Sequence, residues 1–240
     1  MWIVLAHSAD ESALWAFQRL RARARQPVEL LLVEALDTPV TNWIHQVGAE
    51  GACVEVRLGD GRLLSTTGVR AVLNRLIWPP LGLVATAAPA DAQYARSELI
   101  AFAMSWLHSL APVIVNEATS QGLCGRWRPA LHWRVLGMRA GLPIAPLQMT
   151  SAAVDREEDG AISTTVLVIG GELLADSAPD AIRQAARRLA VLSETAILGL
   201  RFAGADPARC GWRLLDATPQ PDLSAAGEAG IVALEEVLAQ

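Results

Sequence analysis

Thr164-Thr-Val-Leu-Val-Ile-Gly-Gly171, Gly199-Leu-Arg-Phe-Ala203 and Gly211-Trp-Arg-Leu-Leu-Asp-Ala-Thr-Pro-Gln-Pro221 are the stretches from which the fold is read. Residues 164–169 are β-branched and apolar and are closed by Gly170-Gly171, the pattern of a buried strand and its turn. Residues 179–192 follow at helical spacing. Ile182, Ala186, Leu189 and Ala190 share one face, and Arg183, Arg187 and Arg188 take the other. Residues 198–203 and 212–216 read as two further strands. The second delivers Asp216 and Thr218 into a proline-punctuated loop, and 231–238 reads as a closing helix.

Upstream, the chain opens with an apolar strand at 2–6. His7-Ser-Ala-Asp follows as a turn, with Ser8 or Asp10 as helix cap, and Leu14, Phe17, Leu20 and Ala24 then fall at helical spacing. A second strand at 28–33 completes a βαβ unit, which implies a parallel sheet. A short helix is expected at 41–47. Strands at 53–58 and 62–65 flank the hairpin turn Gly59-Asp60-Gly61, and a strand at 69–76 runs to the stop Trp78-Pro79-Pro80. Residues 81–91 read as a loop. A long amphipathic helix is expected over 94–110, with Leu99, Phe102, Ala103, Trp106 and Leu110 as its stripe. A strand at 113–115 leads to Asn116. A helix over 126–140 is expected to turn Leu131, Val135, Leu136 and Met138 inward and to end at Gly141.

Composition excludes several classes. The chain is 52% hydrophobic and carries a formal net charge of -5, so it is neither a disordered chain nor a general polyanion binder. Arg19, Arg21, Arg23 and Arg25 read as the solvated face of a helix. Cys53, Cys124 and Cys210 are far apart and lack metal-ligand spacing, as reduced thiols in a cytoplasmic protein would. No signal peptide or membrane-spanning run is visible. No lysine occurs; every basic residue besides histidine is an arginine. His7 stands at the end of the first parallel strand, where α/β sheets place ligands. His108, His132, Asp206 and Asp222 are weaker candidates, with histidine packing and turn capping as their ordinary roles. Walker, Gly-x-Gly-x-x-Gly and Gly-x-Ser-x-Gly patterns are absent.

In this order the pieces resemble the ATP-grasp ligases, in particular the branch that modifies ribosomal peptides. The first half is similar in its strand at 69–76, its helix with acidic Glu98, its strand ending in Asn116 and its helix leading to Gly141-Leu-Pro-Ile-Ala-Pro146. In the family's tail, a strand carries an aspartate and a later strand ends in Glu-x-Asn-Pro. Those side chains hold magnesium against the phosphates of ATP. The resemblance implies an α/β fold: an N-terminal βαβ lobe of pre-ATP-grasp type over 1–90, and a reduced ATP-grasp-like α+β core over 91–240. It puts Arg201, Asp216 and Thr218 at the positions of the family's aspartate, glutamate and asparagine, as degenerate cofactor-site equivalents. A guanidinium cannot ligate magnesium, which takes hard oxygen donors. The lysines that grip the nucleotide in the family have no counterpart here. Where the family inserts its lid subdomain, residues 147–163 leave room for a turn or small hairpin.

These departures imply a non-catalytic binding or scaffold subunit in a peptide-modification or biosynthetic complex, using no cofactor and no metal. The alternative is a minimal ATP-dependent carboxylate–amine ligase, with arginines on the phosphates of Mg-ATP and Asp216 on the magnesium. The expected partners are a second copy or a larger protein, and a peptide, but neither nucleic acid nor membrane. Trp78, Trp127 and Trp133 are expected near the surface as interface anchors. Without a lid, the apolar tail strands carrying Val166, Val168, Leu198, Leu200 and Leu214 are expected to leave a bare face that a partner covers.

Overall fold

Five buried residues in a row make the first strand, which is what a strand covered on both faces requires. In chain order the elements are β1 (Trp2–Ala6), α1 (Glu11–Arg23), β2 (Val28–Leu32) and the single turn α2 (Val33–Leu36). Then come β3 (Asn42–Gly48), β4 (Gly51–Arg57), β5 (Leu63–Ser65), β6 (Ala71–Asn74), α3 (Pro89–Leu110) and β7 (Val113–Val115). The computed structural model describes residues 1–24, 26–36, 42–49, 51–79, 84, 88–146 and 162–240. The chain divides into two compact units, one of residues 1–126 with 234–240 and the other of 127–233.

In the first unit a parallel sheet runs in the order β2-β1-β6-β7, and β3-β4-β5 form a separate antiparallel sheet. Asp10 caps α1 as expected, its carboxylate accepting from the Ala13 N–H at 3.0 Å. Ala13, Ala16 and Leu20 of that helix are buried. Helix α3 buries Trp106, Leu107 and Leu110 in one core with Ile3, Leu5, Val56, Leu64 and Val72. Fully burying a side chain of that size contributes roughly 1.5–3 kcal/mol.

The second unit contains α4 (Ala130–Ala140), β8 (Ser163–Ile169), β9 (Glu172–Leu173), α5 (Asp180–Ser193), β10 (Ile197–Ala203) and β11 (Leu214–Thr218). After a 3₁₀ turn at Leu223–Ala226, α6 (Gly227–Leu238) crosses the division, and its residues from Leu234 onward belong to the first unit. The antiparallel sheet has the order β11-β10-β8-β9. Val166, Val168, Leu198, Leu200, Phe202 and Leu214 pack with Trp133 of α4 and with Ile182, Ala186 and Leu189 of α5.

Several expectations are corrected. In place of the helix expected over 41–47, residues 42–48 form β3, which pairs antiparallel with β4 from Asn42↔Arg57 to Gly48↔Gly51. Its aromatic and β-branched side chains suit a pleated surface, and alternation sets Trp43 and His45 against α3. The Trp43 ring lies 4.9 Å from that of Trp106, and His45 Nε2 lies 2.7 Å from the Ser105 hydroxyl. Helix α3 begins at Pro89, five residues before the expected Tyr94, because proline fits the first turn of a helix. Helix α4 begins only at Ala130, because Pro129 holds an extended conformation at φ -59°, ψ 152°.

The inward face of α4 is also different. Trp133, Gly137 and Ala140 are buried, whereas Leu131 and Met138 are exposed. Gly137 explains the choice: a Cβ there would lie 2.6 Å from Leu214 Cδ2, so the glycine lets the helix lie directly on β11. Strand β11 starts at Leu214 and not Trp212, whose left-handed φ of 53° turns the chain and seats its ring edge-on against Phe202. The bare apolar face also does not arise: Val166, Val168, Leu198, Leu200 and Leu214 are covered by α4 and α5 within their own unit. Residues 147–161, most of the expected hairpin, and all but 84 and 88–91 of the expected 81–91 loop lie outside the described residues. Among the described residues no helix is long and apolar enough to cross a membrane.

Candidate functional site

Strands β8, β10 and β11 align one polar row across their exposed face. Thr165 pairs with Arg201, and Arg201 pairs with Asp216. Alternation sends Leu200 and Phe202 to the core and turns Arg201 outward. The Arg201 Nη2 lies 3.7 Å from Asp216 Oδ2, with side chains 52% and 31% exposed. The other Asp216 oxygen accepts from the Ala217 N–H at 2.8 Å. Two residue pairs along, and so on the same face, Thr218 faces Gly199, and its hydroxyl accepts from the Gln220 N–H at 3.2 Å. Gly199 admits no side chain: a Cβ would stand 2.7 Å from that of Pro221, so the loop after β11 folds across it. Arg201, Asp216 and Thr218 are therefore gathered on one strand pair.

Their chemistry does not fit a magnesium ion. Asp216 is the only carboxylate in the row, and it already faces a guanidinium. A divalent cation needs several oxygen ligands and would be repelled by Arg201. Asp222 caps a turn through Ser224, whose N–H donates at 3.0 Å, and Asp206 pairs with Arg209 at 3.3 Å. No group of three or more metal-binding side chains occurs among the described residues.

The first unit's parallel sheet offers a second candidate. The order β2-β1-β6-β7 reverses direction between β1 and β6, and α/β sheets bind ligands at the carboxyl ends of such a pair. Here that crevice is filled by protein. Arg75 follows β6 and is 3% exposed; its Nε and Nη2 donate to the two Asp10 oxygens at 2.9 and 3.1 Å. Asn74 donates to the carbonyls of Asn116 and Leu123 at 2.8 and 2.6 Å. Asn116 supports this with a left-handed φ of 59°, which asparagine tolerates. The Cys124 thiol donates to the Asn74 carbonyl at 3.0 Å, and burial pushes its pKa up to about 12. It is thus a packed thiol and not a nucleophile.

At the rim of that crevice, His7 Nδ1 stands 3.9 Å from Glu34, whose carboxylate accepts from the Ser8 N–H and hydroxyl. Burial works against the charged carboxylate, but these hydrogen bonds and His7 hold it below the usual range. His108 Nδ1 contacts its own helix at the Met104 carbonyl, 2.7 Å away, and His132 is exposed on α4.

Of the tryptophans, Trp78 is 63% exposed and Trp127 is 42% exposed. Trp133, expected near the surface, is instead 1% exposed, with the Arg128 guanidinium 5.6 Å from its ring centre. Its place beside Gly137 on the inward face of α4 decides this. The residues that sequence reasoning missed are Asn74 and Arg75. Their signal was position, directly after an apolar run at the carboxyl end of a parallel strand. Arg134 was also missed as a clamp: it donates to the carbonyls of Leu215, Ala145 and Pro146 at 2.7, 3.2 and 3.0 Å.

Neither a protein-family model nor a curated protein matches the sequence. Solved structures do match. The macrocyclase MdnC of Microcystis aeruginosa MRC, bound with its precursor peptide MdnA, aligns with a TM-score of 0.71 at 12% identity, covering 99% of each chain. A RiPP-associated ATP-grasp ligase of Chryseobacterium gregarium, in complex with ADP and a leader and core peptide, aligns with a TM-score of 0.67 at 7% identity, covering 99% of this chain and 96% of that one. The ATP-grasp ligase PsnB, complexed with a variant of its minimal precursor, Mg and ADP, gives 0.67 at 16% identity, covering 99% and 97%. At such identities the likeness is one of fold, and the α/β fold of this chain is that of the ATP-grasp ligases. The same structures correct the expectation of no cofactor: proteins of this fold are solved with ADP and magnesium.

Proposed function

We propose that this chain binds a peptide and serves as a binding or scaffold subunit of a peptide-modifying system. The carrying observation is the fold, which matches over 99% of the chain three proteins solved with precursor or leader peptides. The Arg201–Asp216 pairing supports a binding role, because it spends on an ion pair the carboxylate that ligation chemistry would place on a metal. Exposed Trp78 and Trp127 are suited to engage a larger enzyme.

A second reading is an ATP-dependent carboxylate–amine ligase. It is favoured by the nucleotide and magnesium in the neighbouring structures and by the partly exposed Asp216. One experiment separates the two. Peptides are selected from a displayed library on the immobilised chain, and the binders are incubated with ATP, magnesium and either the parent chain or Asp216→Ala. Saturable peptide binding with no change in peptide mass supports the subunit reading. ATP-dependent loss of water from the peptide, abolished in Asp216→Ala, establishes the ligase. Absence of any binder overturns both.

A further inference from the structure

Helix α4 is apolar on both of its faces. Trp133, Gly137 and Ala140 face the core. Leu131, Val135 and Met138 recur at helical spacing on the opposite face; Leu131 is 43% and Met138 62% exposed, with Val135 half-buried between them. Single exposed apolar residues are ordinary, but apolar residues recurring at helical spacing on the face turned away from the core form a second apolar stripe that the fold itself does not bury. The charge of this segment of the chain is one-sided. No Asp or Glu occurs between Glu117 and Asp155, whereas Arg126, Arg128, Arg134 and Arg139 do, in a chain of net charge -5. Arg134 is turned onto backbone carbonyls and Arg128 lies over Trp133. His132 and Arg139 are exposed and, seven residues apart, lie along one edge of the stripe.

We infer that the outer face of α4 is a docking surface for an acidic amphipathic segment of the bound peptide. Its apolar side chains would lie on Leu131, Val135 and Met138, and its carboxylates would pair with Arg139 and His132. Methionine suits such a surface because its unbranched thioether adapts to different partners. A second copy of the chain is the poorer occupant, since a two-fold contact through this face would set Arg139 and its neighbours against their own copies. The inference rests on the peptide-binding reading and names the surface that performs it.

The test uses the full chain and two fluorescein-labelled helical peptides. One carries leucines at helical spacing with glutamates between them, and the other replaces each glutamate by lysine. Fluorescence anisotropy should show the acidic peptide binding at least about ten-fold more tightly than the basic one, a difference of about 1.4 kcal/mol. Met138→Glu should weaken the acidic peptide by a similar factor of about ten, and Arg139→Glu should reverse the preference between the two peptides. Both positions are exposed, so unchanged thermal melts are expected. Equal binding of the two peptides, or an unaltered affinity in Met138→Glu, overturns the docking surface. A library-selected peptide that binds the parent and Met138→Glu equally would overturn it too, while leaving peptide binding itself intact. A doubling of mass in light scattering that Met138→Glu abolishes assigns the face to a second copy and likewise overturns the inference.

Discussion

Replacing Arg75 with methionine should destabilise the first unit by roughly 3–5 kcal/mol, because it strands a carboxylate that the fold has partly buried. The side chains of Arg75 and Asp10 are 4% and 13% exposed, and two nitrogens of the guanidinium meet both carboxylate oxygens at 2.9 and 3.1 Å. Charges about 3 Å apart attract by roughly 5–6 kcal/mol gross at an effective dielectric of about 20, of which desolvation cancels much. Methionine fills much of the arginine stem's volume, so the loss is chiefly electrostatic. Asp10→Ala should cost a comparable amount, since it takes the carboxylate away from the buried guanidinium and also removes the cap on Ala13, worth about 1 kcal/mol. The double variant should cost less than the sum by about 2 kcal/mol, the coupling of two groups in direct contact. Urea unfolding of the four proteins, followed by hydrogen exchange on peptides from β1 and β6, measures all the terms. Costs that add to within about 0.5 kcal/mol would refute the pairing as a stabilising contact.

Three further outcomes are expected. Gly137→Val forces side-chain atoms to within 2.6 Å of Leu214 Cδ2 and should destabilise the second unit by about 1–3 kcal/mol, read as a lowered melting temperature; an unchanged melt would show that α4 does not lie against β11 as described. Titration with a disulfide reagent near about pH 8 should modify exposed Cys53 and half-buried Cys210 but reach Cys124, whose pKa is about 12, only after unfolding; three reactive thiols in the native protein would contradict its burial. Arg201→Asp sets a second carboxylate opposite Asp216, so manganese binding followed by electron paramagnetic resonance should become tighter than in the parent; equal affinities would deny that the two side chains share one face.

The tail was legible because its physics is local. An apolar run closed by two glycines, an amphipathic stretch and a second apolar run specify β8, α5 and β10 without reference to anything distant. That legibility also marked out Arg201, Asp216 and Thr218, which the pairing of β10 with β11 brings together. The misread segments share a different cause. Helix α4 carries apolar residues on two opposite faces, so its inward face is chosen by fit to β11 through Gly137 and not by hydrophobicity alone. Residues 42–48 hold too few apolar positions for periodicity to separate helix from strand, and pairing with β4 decided the matter. The Asp10–Arg75 pair joins residues 65 apart in sequence, and no local pattern marks either as the other's partner.

Helix α6 has a consequence for the order in which the protein can be completed during synthesis. Its residues from Leu234 onward belong to the unit made of residues 1–126, and Leu234, Val237 and Leu238 are buried. Arg23 of α1 lies 3.4 Å from Glu235. A nascent chain that has delivered the whole parallel sheet to the tunnel exit therefore still lacks part of that unit's cover. The missing piece is made only after the entire second unit has been translated. Until then the first unit lacks the buried side chains of Leu234, Val237 and Leu238, and ribosome stalling within the second unit would release a fragment without them.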